Sequence, residues 1–171
     1  MIEGPAAAAA GPFRFGHCNL PRARRRTGTY IFSMSKTVSF ETLIRSDTPN
    51  TYLVLPSGLN STAEADESSP VFGEPAEALY QRVKMLAGTK DNWTITAHDD
   101  EKLQLEIVAT TKLLKFKDDV TVRVCPSKDG AQTSELAIYS RSRLGKYDFK
   151  ANQKRVHSLL SELKGNAAAT A

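Results

Sequence analysis

Hydrophobic residues recur at helical spacing in two segments of the chain. The first begins at Pro75 and stops at Gly88, and its apolar stripe comprises Ala76, Leu79, Tyr80, Val83, Leu86 and Ala87. The second runs from about Phe149 to Lys164, is stopped by Gly165, and has a stripe made of Val156, Leu159, Leu160 and Leu163. A return every three or four residues is typical of a helix with one buried face. The sequence therefore predicts two amphipathic helices.

Between these helices the pattern changes to strict alternation of apolar and polar residues. It does so in four segments, residues 93–98, 103–107, 120–124 and 136–141. Alternation indicates strands whose sheet buries one face, as in an antiparallel sheet. A shorter candidate strand, Tyr52–Leu55, precedes the first helix. The order predicts an α+β two-layer sandwich, in which an antiparallel four-stranded sheet carries both helices on one face.

Two segments before the first helix show no regular pattern. Residues 37–55 are predicted to be an irregular lead-in that contains the short strand, and residues 60–70 to be a polar, solvated loop. The second face of the sheet is predicted to carry Thr121, Arg123, Tyr139 and Arg141. This face is either solvated or a protein-docking surface, since tyrosine and arginine are favoured at contacts.

The positive charge of the chain is concentrated at its N-terminus. Residues 1–33 contain five arginines and one glutamate, so they account for the whole formal net charge of +4 and leave the rest of the chain neutral. A neutral domain lacks the basic surface that nucleic-acid binding requires. We therefore predict no nucleic-acid partner.

The same residues 1–33 show no helical or strand periodicity. We favour the interpretation that Met34 is the initiation residue and that residues 1–33 are an upstream extension, which predicts a cytoplasmic protein. The alternative is an organelle transit peptide, because the segment is rich in arginine and poor in acids. We predict a single domain over residues 34–165 and a frayed tail over 166–171.

Metal, disulfide and membrane-spanning classes receive no support from the residues. The two cysteines, Cys18 and Cys125, lie far apart, and the three histidines, His17, His98 and His157, have no ligand spacing. No apolar run approaches the ~18 residues that a membrane span needs. We predict no metal, no cofactor and no membrane span.

The least generic stretch is residues 140–155, which leave the last strand and enter the last helix. Asp148 is predicted to cap this helix, and Asn152 lies on its inward face, where a polar group must find partners. Asp118 and Asp119 come just before the third of the four strands. Pairing of the third and fourth strands would bring them beside Arg141 and Arg143, two residues of this stretch.

These motifs resemble the signature of the domain-of-unknown-function family 1499. The resemblance rests on Phe116–Asp119, on Ser140–Arg143 with Gly145 and Asp148, and on Asn152 with Arg155. It spans about residues 38–164 and includes residues 48–50 and 69–72, which resemble the early part of the family's sequence. Two positions depart, namely Tyr139, where many relatives have arginine, and Lys150, where glycine is usual. The resemblance implies an architecture and no activity.

Three interpretations of the polar stretch remain open. In the first, Asp118, Asp119 and Asp148 form a structural polar network. In the second, which we favour as a function, the domain is a non-catalytic binding module for an anionic small molecule or a protein partner. Its predicted ligand-binding residues are Arg143, Lys146, Asn152 and Arg155. In the third, the protein is an enzyme that uses Asp118 and Asp119, with Arg143 as substrate anchor.

Overall fold

The computed structural model describes residues 37–112 and 114–167; the predicted extension 1–33 and residues 168–171 lie outside the described residues. All described residues belong to one compact unit. Its elements in chain order are β1 (Thr51–Leu55), β2 (Glu67–Ser68), α1 (Ala76–Thr89), β3 (Trp93–Asp99), β4 (Gln104–Thr110), β5 (Lys117–Ser127), β6 (Gly130–Ser142) and α2 (Ala151–Ala167).

The strands form one mixed sheet of six strands in the order β2-β1-β6-β5-β4-β3. Strands β3 to β6 are antiparallel neighbours, β1 pairs with β6 in antiparallel fashion, and β2 lies parallel to β1. The predicted α+β class is confirmed, whereas the four-stranded antiparallel sheet is wrong. The prediction failed because β1 adds to the free edge of β6, and β2 is only two residues long and has no alternation to reveal it.

The main core lies between the helices and one face of the sheet. Its buried members include Leu79 and Val83 of α1 and Leu159 and Leu163 of α2, which pack with inward-facing residues of β1, β4, β5 and β6. The helix stripes seen in the sequence therefore face this layer. Burial of apolar surface here, at about 25 cal/mol per Å², is the main force that holds helices on sheet.

A second, smaller core covers the opposite face of the sheet. Phe40, with 0% exposure, and Leu43 of the lead-in pack there with Leu53, Ala137 and Tyr139. The interpretation of this face as solvated or free for docking is therefore wrong at Tyr139 and Thr121, which are 3% and 1% exposed. The lead-in and the loop 60–70, predicted as irregular and solvated, supply this cover. Their scattered apolar residues, Phe40, Leu43, Ala63 and Ala65, have no periodicity that would predict burial.

Two loops meet at one end of the sheet. The loop between β4 and β5 spans residues 111–116, and the loop between β6 and α2 spans residues 143–150. They are neighbours because Lys117 at the start of β5 pairs with Thr110, and Asp118 pairs with Ser142 at the end of β6. No helix among the described residues is long and apolar enough to cross a membrane.

Candidate functional site

The start of β5 presents two adjacent carboxylates to opposite faces of the sheet. Asp118 is 3% exposed and faces α2, where its Oδ2 lies 2.5 Å from Nη2 of Arg155. Asp119 faces the other side and contacts Arg141 and Arg143. Successive side chains of a strand alternate in direction, so the two carboxylates cannot work as one acid–base pair. The structure thus gives no support to the carboxylate pair that the enzyme interpretation requires.

On the helix face, five polar side chains are joined by hydrogen bonds in a group that we call the junction network. Its members are Asp118, Ser140, Asp148, Asn152 and Arg155. The Arg155 guanidinium donates from Nη1 to Oγ of Ser140 (2.9 Å) and to Oδ1 of Asn152 (2.6 Å), as well as from Nη2 to Asp118. The Ser140 hydroxyl donates to the same Asn152 oxygen at 2.6 Å. These bonds tie α2 to the end of the β5–β6 pair.

Asn152 lies at the centre of the junction network and is completely buried. Its Nδ2 donates to the backbone oxygen of Asn50 (2.7 Å) and to Oδ2 of Asp148 (2.6 Å), and it is 3.1 Å from Oγ of Ser142. Asp148 in turn accepts the backbone N–H groups of Lys150 (3.0 Å) and Asn152 (2.9 Å). Asp148 therefore caps the start of α2, where an acidic group also meets the positive end of the helix dipole.

The start of α2 has an unusual backbone. Phe149 and Lys150 both have positive φ angles, 49° and 62°. This left-handed region favours glycine, because a side chain there is crowded by the backbone, at a cost of roughly 1–2 kcal/mol per residue. Lys150 stands where the resemblance leads one to expect glycine, and the structure keeps the glycine-like turn with a lysine in it.

On the other face of the sheet lies an open cavity of about 670 Å³, which we call the arginine groove. Three guanidinium groups line it, those of Arg45, Arg141 and Arg143, against the single carboxylate of Asp119. Ser46, Thr48 and Thr51 also line it, whereas Ser142, another lining residue, directs its hydroxyl to Asn152 on the helix face. The volume lies within the range of about 300–1,000 Å³ that small-molecule sites occupy.

Arg141 and Arg143 reach the same carboxylate from two sides. Arg143 donates through Nε (2.8 Å) and Nη2 (2.6 Å) to Oδ1 of Asp119, and Arg141 donates through Nε (3.3 Å) and Nη2 (3.2 Å) to Oδ2. The hydrogen bonds that Arg143 donates to Asp119 raise the pKa of its guanidinium. Both arginine side chains remain about half exposed, at 50% and 45%. Two accessible cations therefore share one carboxylate, which leaves one positive charge without a balancing anion.

Arg45 reaches the groove from the lead-in rather than from the sheet. Its Nη2 lies 2.8 Å from Oδ2 of Asp66 and donates to Oγ1 of Thr51 at 3.0 Å, while Nη1 donates to the backbone oxygen of Glu64. These three contacts fix the guanidinium beside the start of β1. Since Thr51 pairs with Arg141 in the sheet register, Arg45 is brought next to the paired arginines.

The structure separates the four residues predicted to bind a ligand. Arg143 lies in the arginine groove, whereas Asn152 and Arg155 belong to the junction network on the opposite face. Lys146 is exposed in the loop between β6 and α2. The four side chains therefore do not surround one cavity, because Arg143 follows β6 on the groove side of the sheet, whereas Asn152 and Arg155 belong to α2, which packs on the other side.

A second open cavity, of about 890 Å³, lies on the helix side of the sheet between the 111–116 loop and the first turns of α2. Lys112, Lys115 and Lys154 line it, together with Arg155 and Trp93. Arg155 is already neutralised by Asp118, so the positive charge of this cavity comes from its lysines. Sequence reasoning did not identify it, because its wall is shared by three segments that are distant in sequence.

Other titratable groups are explained by the packing of the lead-in. Burial raises the pKa of Glu106, whose carboxylate accepts from Thr121 (2.6 Å) and Gln104 (2.9 Å) under the lead-in. The Arg123 guanidinium lowers the pKa of Glu41 to about 2. Among residues 37–112 and 114–167, no three histidine, cysteine or acidic side chains gather in a way that could hold a metal ion.

Comparison with known proteins assigns the chain to a family. No curated protein matches it significantly. One similar solved structure is described as "Crystal structure of Ara h 8.0201"; its sequence is 9% identical and the TM-score is 0.42, with 60% of this chain and 95% of that chain covered. This likeness is too weak to carry information on function. The model of the family described as "Protein of unknown function (DUF1499)" matches residues 44–163, which is more than half of the chain. The chain therefore belongs to the DUF1499 family, as the motifs in its sequence predicted.

Proposed function

We propose that this protein is a non-catalytic binding module that holds an anionic small molecule in the arginine groove. The observation that carries the proposal is the convergence of the half-exposed Arg141 and Arg143 side chains on the one carboxylate of Asp119, with Arg45 beside them. Guanidinium groups bind carboxylates and phosphates through paired N–H donors. Neither Arg141 nor Arg143 uses Nη1 in any hydrogen bond with the described part of the chain, so that edge is free for a ligand.

Stability does not require two arginines at Asp119. Exposed ion pairs contribute about 0–1 kcal/mol each, and holding two long side chains in place costs conformational entropy. An arrangement that contributes so little to folding is explained better by an external anion, which would balance the second positive charge. Hydroxyl groups on the same wall can donate to the remaining ligand oxygens.

The proposal is tested by titrating the full chain with inorganic phosphate and with citrate and measuring heat by calorimetry and the melting temperature in parallel. Binding at a concentration tenfold above Kd should raise the unfolding free energy by about 1.4 kcal/mol. Arg143→Ala and Arg141→Ala should each weaken binding about tenfold or more, while each variant stays folded because the side chains are half exposed. Lys128→Ala, at the opposite end of the sheet, is the matched control.

Asp119→Asn separates the binding interpretation from the enzyme interpretation by the sign of its effect. Removal of the carboxylate frees both arginines and should tighten anion binding about fivefold, the value of one screened charge at contact distance. A catalytic or substrate-holding Asp119 predicts a loss instead. Weaker anion binding by Asp119→Asn, or equal binding by Arg143→Ala and the parent chain, would refute the proposed site.

A further inference from the structure

A cluster of exposed apolar side chains lies at the end of the sheet where the 111–116 and 143–150 loops meet. We call it the loop-end surface. Its apolar members are Leu114 (64% exposed), Phe116 (47%), Leu144 (70%), Tyr147 (74%) and Phe149 (90%). They make up five of the eight large hydrophobic side chains that are exposed in the described part of the chain. A concentration of this kind marks an interaction site, whereas single exposed apolar residues do not.

The same two loops and the residues that flank them carry a strong excess of positive charge. Segments 111–117 and 143–154 contain seven basic residues and one acid, Asp148, whose carboxylate is occupied by the cap of α2. The basic residues are Lys112, Lys115, Lys117, Arg143, Lys146, Lys150 and Lys154. None of the six lysines forms a salt bridge with another described residue, in contrast to Lys90, which pairs with Glu162. The overall neutrality of the domain conceals this local charge.

Backbone conformation and hydrogen bonds shape both loops. In the 111–116 loop, the Thr111 oxygen accepts the N–H of Lys115 (3.2 Å), and its Oγ1 accepts the N–H of Phe116 (2.9 Å), which closes the base of the loop. In the other loop, Phe149 and Lys150 adopt left-handed conformations immediately before α2. Non-glycine residues in that region cost energy, and such strain persists where the surrounding structure imposes it. The result is an aromatic ring presented to solvent beside a lysine.

We propose that the loop-end surface docks the protein on a membrane that contains anionic phospholipids. Apolar tips would enter the boundary between headgroups and acyl chains, and the lysines would remain at the level of the headgroup phosphates. The 890 Å³ cavity between the 111–116 loop and the first turns of α2, with Lys112, Lys115 and Lys154 on its wall, provides room for headgroups. Stable attachment of a peripheral protein needs two contributions, and this surface supplies both apolar insertion and basic charge.

Charge and residue type decide against the other occupants. A second copy of the chain would bring two strongly positive surfaces together, which is unfavourable at short range. A nucleic acid would use the lysines, but it offers no apolar layer for Leu114 and Leu144, and only stacked aromatics are expected in such sites. An anionic lipid surface is complementary to both parts of the loop-end surface.

The test is co-sedimentation of the full chain with vesicles of phosphatidylcholine alone and of phosphatidylcholine containing one third phosphatidylserine. Binding is expected only to the anionic vesicles, and it should weaken steeply as salt is raised. Each lysine changed to glutamine at Lys112 or Lys115 should lower partitioning about fivefold, which corresponds to about 1 kcal/mol. Lys128→Gln, at the far end of the sheet, is the charge control. Because the arginine-rich residues 1–33 are present in every variant, the differences report on the loops.

Apolar insertion is tested separately with Phe149→Ser and Leu144→Ser, which should each lower partitioning about tenfold. Met85→Ser changes a side chain on α1 that is about as exposed (67%) as Leu144 (70%) but lies outside both loops, and it should have no effect. Unchanged vesicle binding by the two serine variants, together with competition by heparin, would indicate a general polyanion surface and overturn the proposal. Absence of binding to anionic vesicles at low salt would do the same. Arg45→Ala should retain vesicle binding, which keeps this surface distinct from the arginine groove.

Discussion

Arg155→Ala is expected to be the most destabilising single change in the polar stretch 140–155. The Arg155 side chain is 12% exposed and its partner Asp118 is 4% exposed, so truncation leaves a carboxylate with little access to water. Removing one partner of a buried pair costs about 3–5 kcal/mol. Total stability of a domain is about 5–15 kcal/mol, so this loss is a large fraction of it.

The magnitude follows from the bonds that are lost. Besides the ion pair, Oγ of Ser140 and Oδ1 of Asn152 each lose a charged donor, at about 1 kcal/mol or more per bond. Water that enters the space left by the guanidinium would recover part of this, which favours the lower half of the range. The melting temperature should fall by about 10 °C or more.

The assay is urea unfolding followed by far-ultraviolet circular dichroism and by fluorescence of Trp93, the single tryptophan. The midpoint should shift without a change in slope, because the same surface is exposed on unfolding. Arg143→Ala is the matched control: its side chain is 45% exposed, and the expected loss is below about 1 kcal/mol. Asp118→Asn added to Arg155→Ala should recover about 1 kcal/mol or more, because the unpaired charge is removed.

Two results would refute this reasoning. A loss below about 1 kcal/mol for Arg155→Ala would show that water compensates Asp118 and that the pair is not buried in solution. A larger loss for Arg143→Ala than for Arg155→Ala would mean that the groove, rather than the junction network, supports the fold. In that case the stability argument for a ligand site in the arginine groove would be wrong.

Two further predictions concern the start of α2 and the lead-in. Lys150→Gly should stabilise the protein by up to about 1 kcal/mol in the same unfolding assay, because glycine tolerates φ = 62°. The greater conformational entropy of glycine in the unfolded chain offsets part of this gain. A loss of stability would show that the lysine side chain contributes to packing. Glu41→Gln should destabilise the protein at pH 7 by about 1 kcal/mol after discounting for exposure. The folded pKa of Glu41 is lowered to about 2 from an ordinary 4.5, so its contribution is complete above pH 4.5 and is lost as pH falls towards 2. Parent and variant stabilities should converge near pH 2, and a constant difference would contradict the role of Arg123.

The regular elements with strong periodicity were predictable from the sequence. Both helix stripes and the four alternating segments correspond to α1, α2 and β3 to β6. The bounds were less accurate at β6, which extends over Gly130–Ser142 although only its second half alternates. Its first half includes Glu135 and Ser134, which are buried because the chain before α1 covers them. Burial of polar residues by distant segments leaves no local pattern.

The site could be predicted only where it depends on hairpin pairing. Adjacency of Asp119 to Arg141 follows from a β5–β6 hairpin, and the two residues pair directly in the sheet. Arg45 could not be predicted, because its position depends on β1 joining β6 and on Asp66 of the 60–70 loop folding back over the sheet. The loop-end surface could not be predicted for another reason. Its charge disappears when averaged over a neutral domain, and exposure of Phe149 cannot be deduced from a sequence that places it next to a helix.

Successive side chains of β5 and β6 point to opposite faces of the sheet, and this explains how neighbouring polar residues serve two purposes. Asp118 and Ser140 face α2 and are used in a network whose described polar atoms all have partners. Asp119 and Arg141, one residue away, face the groove and keep half-exposed donors. A change on the first face should therefore act on stability, and a change on the second face should act on binding at constant stability. Different effects of substitutions at Asp118 and at the adjacent Asp119, on stability and on binding respectively, would therefore distinguish the scaffold from the site that it supports.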